Sequence, residues 1–102
     1  MPLIKSLRVA WHPTKFMPEV SRFYGISVRF YYRDHPPTHF HAIYGEHEAL
    51  IEIETGAIHQ GYLPNTAHDL IDRWRMIHLQ ELRDDWNRAR QQRPLLPIAP
   101  LE

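Results

Sequence analysis

Apolar and polar residues alternate from Gly25 onward. Ile26, Val28, Phe30 and Tyr32 fall on one face, and Ser27, Arg29, Tyr31 and Arg33 on the other. A period of two predicts a half-buried strand. Asp34-His35-Pro36-Pro37-Thr38 ends it, because two prolines cannot continue a hydrogen-bonded ladder. Residues 40–44 predict a second strand. Gly45-Glu46 then reads as a two-residue turn, with glycine free to take positive φ. Residues 48–54 predict a third strand with Ala49, Ile51 and Ile53 on one face. Thr55-Gly56 turns again, and residues 57–62 predict a short fourth strand.

The period changes after Pro64. Ala67, Leu70, Ile71, Trp74, Ile77, Leu82, Trp86 and Ala89 recur at helical spacing, which predicts one long helix over residues 64–90 with a single apolar stripe. Pro64 suits a first-turn position, and Thr66-x-x-Asp69 resembles a capping box. Asp69 with Arg73 and Asp84 with Arg88 are spaced to pair on the wet side. Pro94 ends the helix. The tail over residues 94–101 is apolar and proline-rich and cannot be helical. It either straps the domain or docks on a partner. The fold expected is α+β: a three- or four-stranded antiparallel sheet, one long C-terminal helix packed on one face, and an extended tail.

Composition narrows the function classes. The 102 residues are 43% hydrophobic and 24% charged, which suits one globular domain. No apolar run approaches the roughly 18 residues of a spanning helix, so no membrane partner is expected. The first residues lack the apolar core of a signal peptide, and a cytoplasmic location is the default expectation. With no cysteine, thiolate metal sites, iron–sulfur clusters and cysteine nucleophiles are excluded. Basic and acidic residues number 12 each, so net charge points to no polyanionic partner. The layout is uneven, however. Residues 1–33 carry six basic residues against Glu19 alone, whereas residues 34–56 carry Asp34, Glu46, Glu48, Glu52 and Glu54 with no base. Most basic residues are arginine, whose planar fork suits phosphate or carboxylate; the plainer reading is that they pair with the acidic segment.

Eight histidines in so short a chain are the anomaly, and the hairpin register focuses on two of them. A turn at Gly45-Glu46 sets Tyr44 opposite His47, Ala42 opposite Ala49 and Phe40 opposite Ile51 on an apolar face. The other face then carries Ile43 opposite Glu48, His41 opposite Leu50 and His39 opposite Glu52. A slip by one residue would bury glutamates, so the register is well specified. His39, His41, Glu48 and Glu52 are therefore expected to share a solvent-accessible face, with Arg29, Tyr31 and Arg33 on the corresponding face of the first strand. Three readings fit. Histidine beside carboxylate can serve as general acid or base near neutral pH, and arginine and tyrosine would add an electrophile and a second proton-transfer group. That combination suits metal-free cleavage of RNA by His39 and His41, with Glu52 as orienter and Arg29 or Arg33 on phosphate. Alternatively, His39-x-His41 projects two imidazoles to one side, and Glu52, Asp34 or His35 could complete a zinc-type site. The third option is a hairpin with polar cross-strand pairs and no chemistry. The expectation is no cofactor and no tightly bound metal, since only two ligands have reliable spacing. His12, His59, His68 and His78 are scattered and read as structural or surface residues.

A family resemblance rests on Met17-Pro18, Ser21-Arg22-Phe23-Tyr24-Gly25-Ile26, and the run from Tyr31 to Ala42 that contains Pro36-Pro37-Thr38-His39-Phe40-His41-Ala42. It continues through Tyr44-Gly45-Glu46-His47-Glu48-Ala49, Gly61-Tyr62-Leu63-Pro64, Trp74, His78, Glu81-Leu82, Trp86 and Ile98-Ala99-Pro100-Leu101. In these residues the chain resembles a family of short bacterial proteins described as domain of unknown function 4160. His47 stands where that family usually has an aromatic residue. The resemblance implies a single domain over residues 17–102, with residues 1–16 as an extension that is dispensable for folding or adds a strand through Leu7, Val9 and Trp11. It also implies a gene beside another small protein, in a toxin–antitoxin-like arrangement. The expected function is the toxin-like half of such a module, directed at RNA. The alternatives are a non-enzymatic module that binds protein through a sheet edge or the tail, and a metal-binding domain. An unpaired sheet edge also predicts a homo-oligomer or a small cognate protein partner.

Overall fold

In the computed structural model, which describes residues 17–102, five strands pair in chain order. β1 (Glu19–Phe23), β2 (Ile26–Arg29), β3 (His39–Tyr44), β4 (His47–Glu52) and β5 (Ile58–Gly61) form one antiparallel sheet. Two helices follow, α1 (Asn65–Ile77) and α2 (Leu79–Arg90). The fold is α+β, with five strands rather than three or four and two helices in place of one. The expected strand through Leu7, Val9 and Trp11 lies outside the described residues. Among the described residues no helix is long and apolar enough to cross a membrane.

The β3–β4 register follows the turn chemistry. Tyr44 faces His47, Ala42 faces Ala49, Phe40 faces Ile51 and His39 faces Glu52. Gly45 takes φ +59 at the turn. Ile26, Val28, Phe40, Ala42, Ala49 and Ile51 point to the helices and are fully buried. Trp74 of α1 packs on Phe23 and Phe40, with ring centroids 5.4 and 5.9 Å away. Ala67, Ile71, Leu82 and Ala89 complete the apolar layer.

β1 escapes the alternation rule because a bulge lies between Glu19 and Ser21, so that Val20 and Ser21 are both buried. β2 ends at Arg29, with one further backbone bond from Phe30 N–H to Pro18 O. Phe30 is nevertheless buried and Tyr32 packs against the core, so the apolar alternation outlasts the ladder. The helical pattern breaks at His78, which takes φ −112 and ψ 27. Its N–H still donates to Trp74 O, and its carbonyl accepts from Leu82 N–H. The stripe resumes at Leu82, but Ile77, counted in it from the sequence, is 66% exposed. Pro64 sits at the N-cap without a side-chain cap bond, so no capping box forms.

Two glycines are fixed by their surroundings. At Gly61, φ is +88 and a Cβ would collide with the carbonyl oxygen of Glu48 on β4. At Gly56, φ is +80 and a Cβ would meet Asp72 and Arg75. Arg75 is buried and bonds Asp72 Oδ1 and the carbonyl of Ile53, each at 2.9 Å, which ties α1 to the end of β4. Arg83 of α2 forks onto Glu54.

The tail is a strap. Ile98 N–H donates to Val20 O on β1 at 2.8 Å, and Trp74 Nε1–H donates to Ala99 O at 2.8 Å. Ile98 is buried, and Leu95 and Leu101 pack against the core. Leu96 N–H donates to Asp85 Oδ1 at 2.9 Å, while the other oxygen of this buried carboxyl has no partner.

Candidate functional site

On β3 the side chains at positions 39 and 41 point away from Phe40 and Ala42, as strand alternation requires. Those positions would be open to solvent if the β2–β3 connection ran clear of the sheet. Instead Arg33, at φ 58, turns the chain, and its N–H donates to Ala89 O of α2. Asp34 is thereby folded back over β3. His39 and His41 are only 4% and 5% exposed, which corrects the expected solvent-accessible face. The ring of Trp86 lies 5.2 Å from that of His39, and Tyr31 meets His41 edge-on at 4.5 Å.

All four imidazole nitrogens have partners, and every partner is an oxygen. His39 Nδ1 lies 2.7 Å from the carbonyl of Pro37, and His41 Nδ1 lies 3.0 Å from Glu48 Oε2. Both Nε2 atoms meet the same atom, Asp34 Oδ2, at 2.9 Å from His39 and 3.1 Å from His41. A neutral imidazole carries one N–H and one lone pair, so two neutral rings supply half of the hydrogens these contacts call for. Pro37 O can only accept, which places a hydrogen on His39 Nδ1. Glu48 reaches solvent, at 45% side-chain exposure, and as a carboxylate it places a hydrogen on His41 Nδ1. The two Nε2 atoms and Asp34 Oδ2 are left as three donor atoms within 4.8 Å of one another. Burial alone would push the Asp34 carboxyl up. The Nε2–H that His41 presents in its protonated form, the backbone N–H of His35 and the charge of the two rings when protonated outweigh it and hold the group below its ordinary value. Burial, with Glu48 and Asp34 nearby, pushes the Tyr31 hydroxyl up.

The other residues singled out from the sequence lie around this cluster without joining it. Glu52 is the register partner of His39, but it accepts from Thr55 Oγ1 at 3.0 Å and faces His59 at 3.4 Å. Arg29 is the register partner of His41, and its guanidinium is held by Ser27 Oγ and Met17 O, both at 2.9 Å, with Glu19 at 3.6 Å. Arg33 faces the side-chain amide of Gln92, whose oxygen accepts at 2.8 and 3.0 Å once the amide is turned toward it. His35 is exposed, and only its backbone N–H reaches Asp34. Strand alternation had placed Tyr31 on this face, whereas Pro37 O and Trp86 were not assigned to the site from sequence. The one signal for them is the strand break at residues 34–38, which requires a reversal but leaves its direction open.

A family model described as "Domain of unknown function (DUF4160)" matches residues 25–87, more than half of the 102-residue chain. No curated protein and no solved structure matches.

Proposed function

The chain belongs to the DUF4160 family, and from that premise we propose that it is the protein-binding half of a toxin–antitoxin-type two-gene module. In this reading a small cognate partner adds a strand along β5. One observation carries it. Of the two edges of the sheet, β1 takes a backbone hydrogen bond from the strap at Val20, while the outer side of β5 has no described segment against it. An open edge presents unpaired N–H and C=O groups that another chain can complete. His59 and Gln60 are exposed there and keep the edge polar, so the partner would be selected by main-chain pairing more than by apolar area. A second copy of the chain would use the same edge when the partner is absent. The test is hydrogen exchange with the separately purified product of the adjacent gene. Protection gained at residues 58–61 is the expected result. Binding with protection only elsewhere, or no binding by the gene product together with a monomer mass by light scattering, removes the proposal.

A second reading keeps RNA as the target, with His39 and His41 as acid–base groups and Arg29 on phosphate. In its favour, both imidazoles meet carboxylates and Arg29 lies cross-strand from His41. Induced expression of wild type and of a His39→Ala, His41→Ala double variant separates the readings. Loss of growth with RNA decay, abolished in the variant, supports the enzyme. Unchanged bulk RNA rejects it.

A further inference from the structure

We propose that Asp34, His39 and His41 form a binding site for one divalent first-row transition-metal ion, with Zn2+ as the natural probe. The site is independent of whatever β5 binds. Its basis is the direction of lone pairs. In neutral rings, the acceptors Pro37 O and the Glu48 carboxylate assign the single hydrogen of each imidazole to Nδ1. Both Nε2 lone pairs then aim at Asp34 Oδ2, which is itself an electron-pair donor. Three donor atoms converging without hydrogens between them need either two additional protons or one dication at their focus. The dication also balances the charge of Asp34 and Glu48.

The surroundings are those of a metal centre. Metal-bound histidines characteristically donate the remote N–H to a carboxylate or a backbone carbonyl, and here one ring does each. At metal–ligand distances of about 2.1 Å, ligand atoms sit about 3.0 Å apart at a right angle and about 3.4 Å apart at a tetrahedral angle. The observed Nε2–Oδ2 separations of 2.9 and 3.1 Å lie close to that range, so binding needs little movement of Asp34. Placement at 39 and 41 on one strand, with Trp86 and Tyr31 against the rings, holds both imidazoles in orientation. Asp34 is 19% exposed in its side chain and gives the ion its way in, with water filling the remaining positions. Two nitrogens and a carboxylate favour zinc, iron(II), cobalt or nickel over calcium and magnesium, which prefer all-oxygen shells. Two residues of spacing in the sequence provided two ligands; the reversal at Arg33 adds the third.

The test is zinc titration by calorimetry of the full chain, free of any affinity tag and stripped with chelator. One equivalent should bind, and the melting temperature should rise with zinc concentration. Asp34→Asn should lose at least about 100-fold in affinity and Glu48→Gln about 10–100-fold, the usual cost of losing an outer-shell partner. His59→Ala, altering an exposed histidine, should leave binding unchanged. Long-range nitrogen–proton NMR of the wild type supplies a readout that no variant can confound by misfolding. Zinc should shift Nε2 of both His39 and His41 and leave both Nδ1–H signals in place. Binding that follows His59, or zinc that leaves the two Nε2 signals unmoved, overturns the site and returns the cluster to a proton-holding network.

Discussion

The strap makes a quantitative claim that one pair of substitutions can test. Ile98 is 4% exposed and belongs to the core, whereas Leu96, two residues earlier, is 47% exposed. Ile98→Ala removes three carbon atoms from a buried position. At about 0.8 kcal/mol per buried methylene the transfer loss is roughly 2.4 kcal/mol, and a partly collapsed cavity brings the total to about 3 kcal/mol. The hydrogen bond from the residue 98 N–H to Val20 O survives, so the loss is one of packing. For a domain of this size such a change lowers the melting temperature by roughly 12–24 °C and the urea midpoint by about 1–3 M. Leu96→Ala, by contrast, should stay within about 0.5 kcal/mol. The comparison is made by urea unfolding of the three proteins with a shared slope. Equal effects from the two substitutions would refute the claim that the tail is part of the core.

Asp85 should make stability fall as pH rises. Burial pushes its carboxyl up to about 6 against an ordinary value of 3.8, so between those values the folded state holds more protons than the unfolded one. Stability then declines from about pH 4 to above pH 6, by up to roughly 3 kcal/mol. Asp85→Asn, which keeps an acceptor for Leu96 N–H, should be more stable than wild type at pH 8 and about equal to it at pH 4. Urea melts at the two pH values check this, and an asparagine variant weaker at both would contradict it. Gly61→Ala should cost on the order of 2–3 kcal/mol from its backbone conformation and the Glu48 carbonyl. Gly45→Ala, at φ +59 with open space where its Cβ would stand, should cost about 1 kcal/mol. Similar melting temperatures for the two alanine variants would show that β5 yields at Gly61.

What was legible in the sequence follows from what is local. The β3–β4 register could be read because alternation and the Gly45 turn lie within a few residues of each other, and a slip would have buried glutamates. β1 could not, because its bulge sets Val20 and Ser21 both inward and cancels the period of two. The break at His78 has no proline or glycine to announce it, and the backbone bonds to Trp74 and Leu82 carry the chain through it. The pairing of His39 and His41 on one face was visible. Their enclosure was not, because the covering groups come from the β2–β3 connection and from Trp86 on α2. Glu52 was read as the orienting carboxylate, and Asp34 only as one of three candidates for a third metal ligand, for the same reason: cross-strand register can be written down from a turn, whereas the path of a loop with two prolines cannot.

The strand order has a kinetic consequence. Each strand pairs with the one before it, so every hairpin closes a short loop at small entropic cost, and the sheet can zip up in the order in which it is synthesised. The strap is the exception. Its contact with Val20 joins the first described strand to a segment that follows both helices. During translation the β1 edge, as far as the described residues go, therefore waits for its partner until the strap has been made. A nascent chain stalled before residue 94 would have its sheet but not its clasp, and it is then that this protein is most open to pairing with the wrong neighbour.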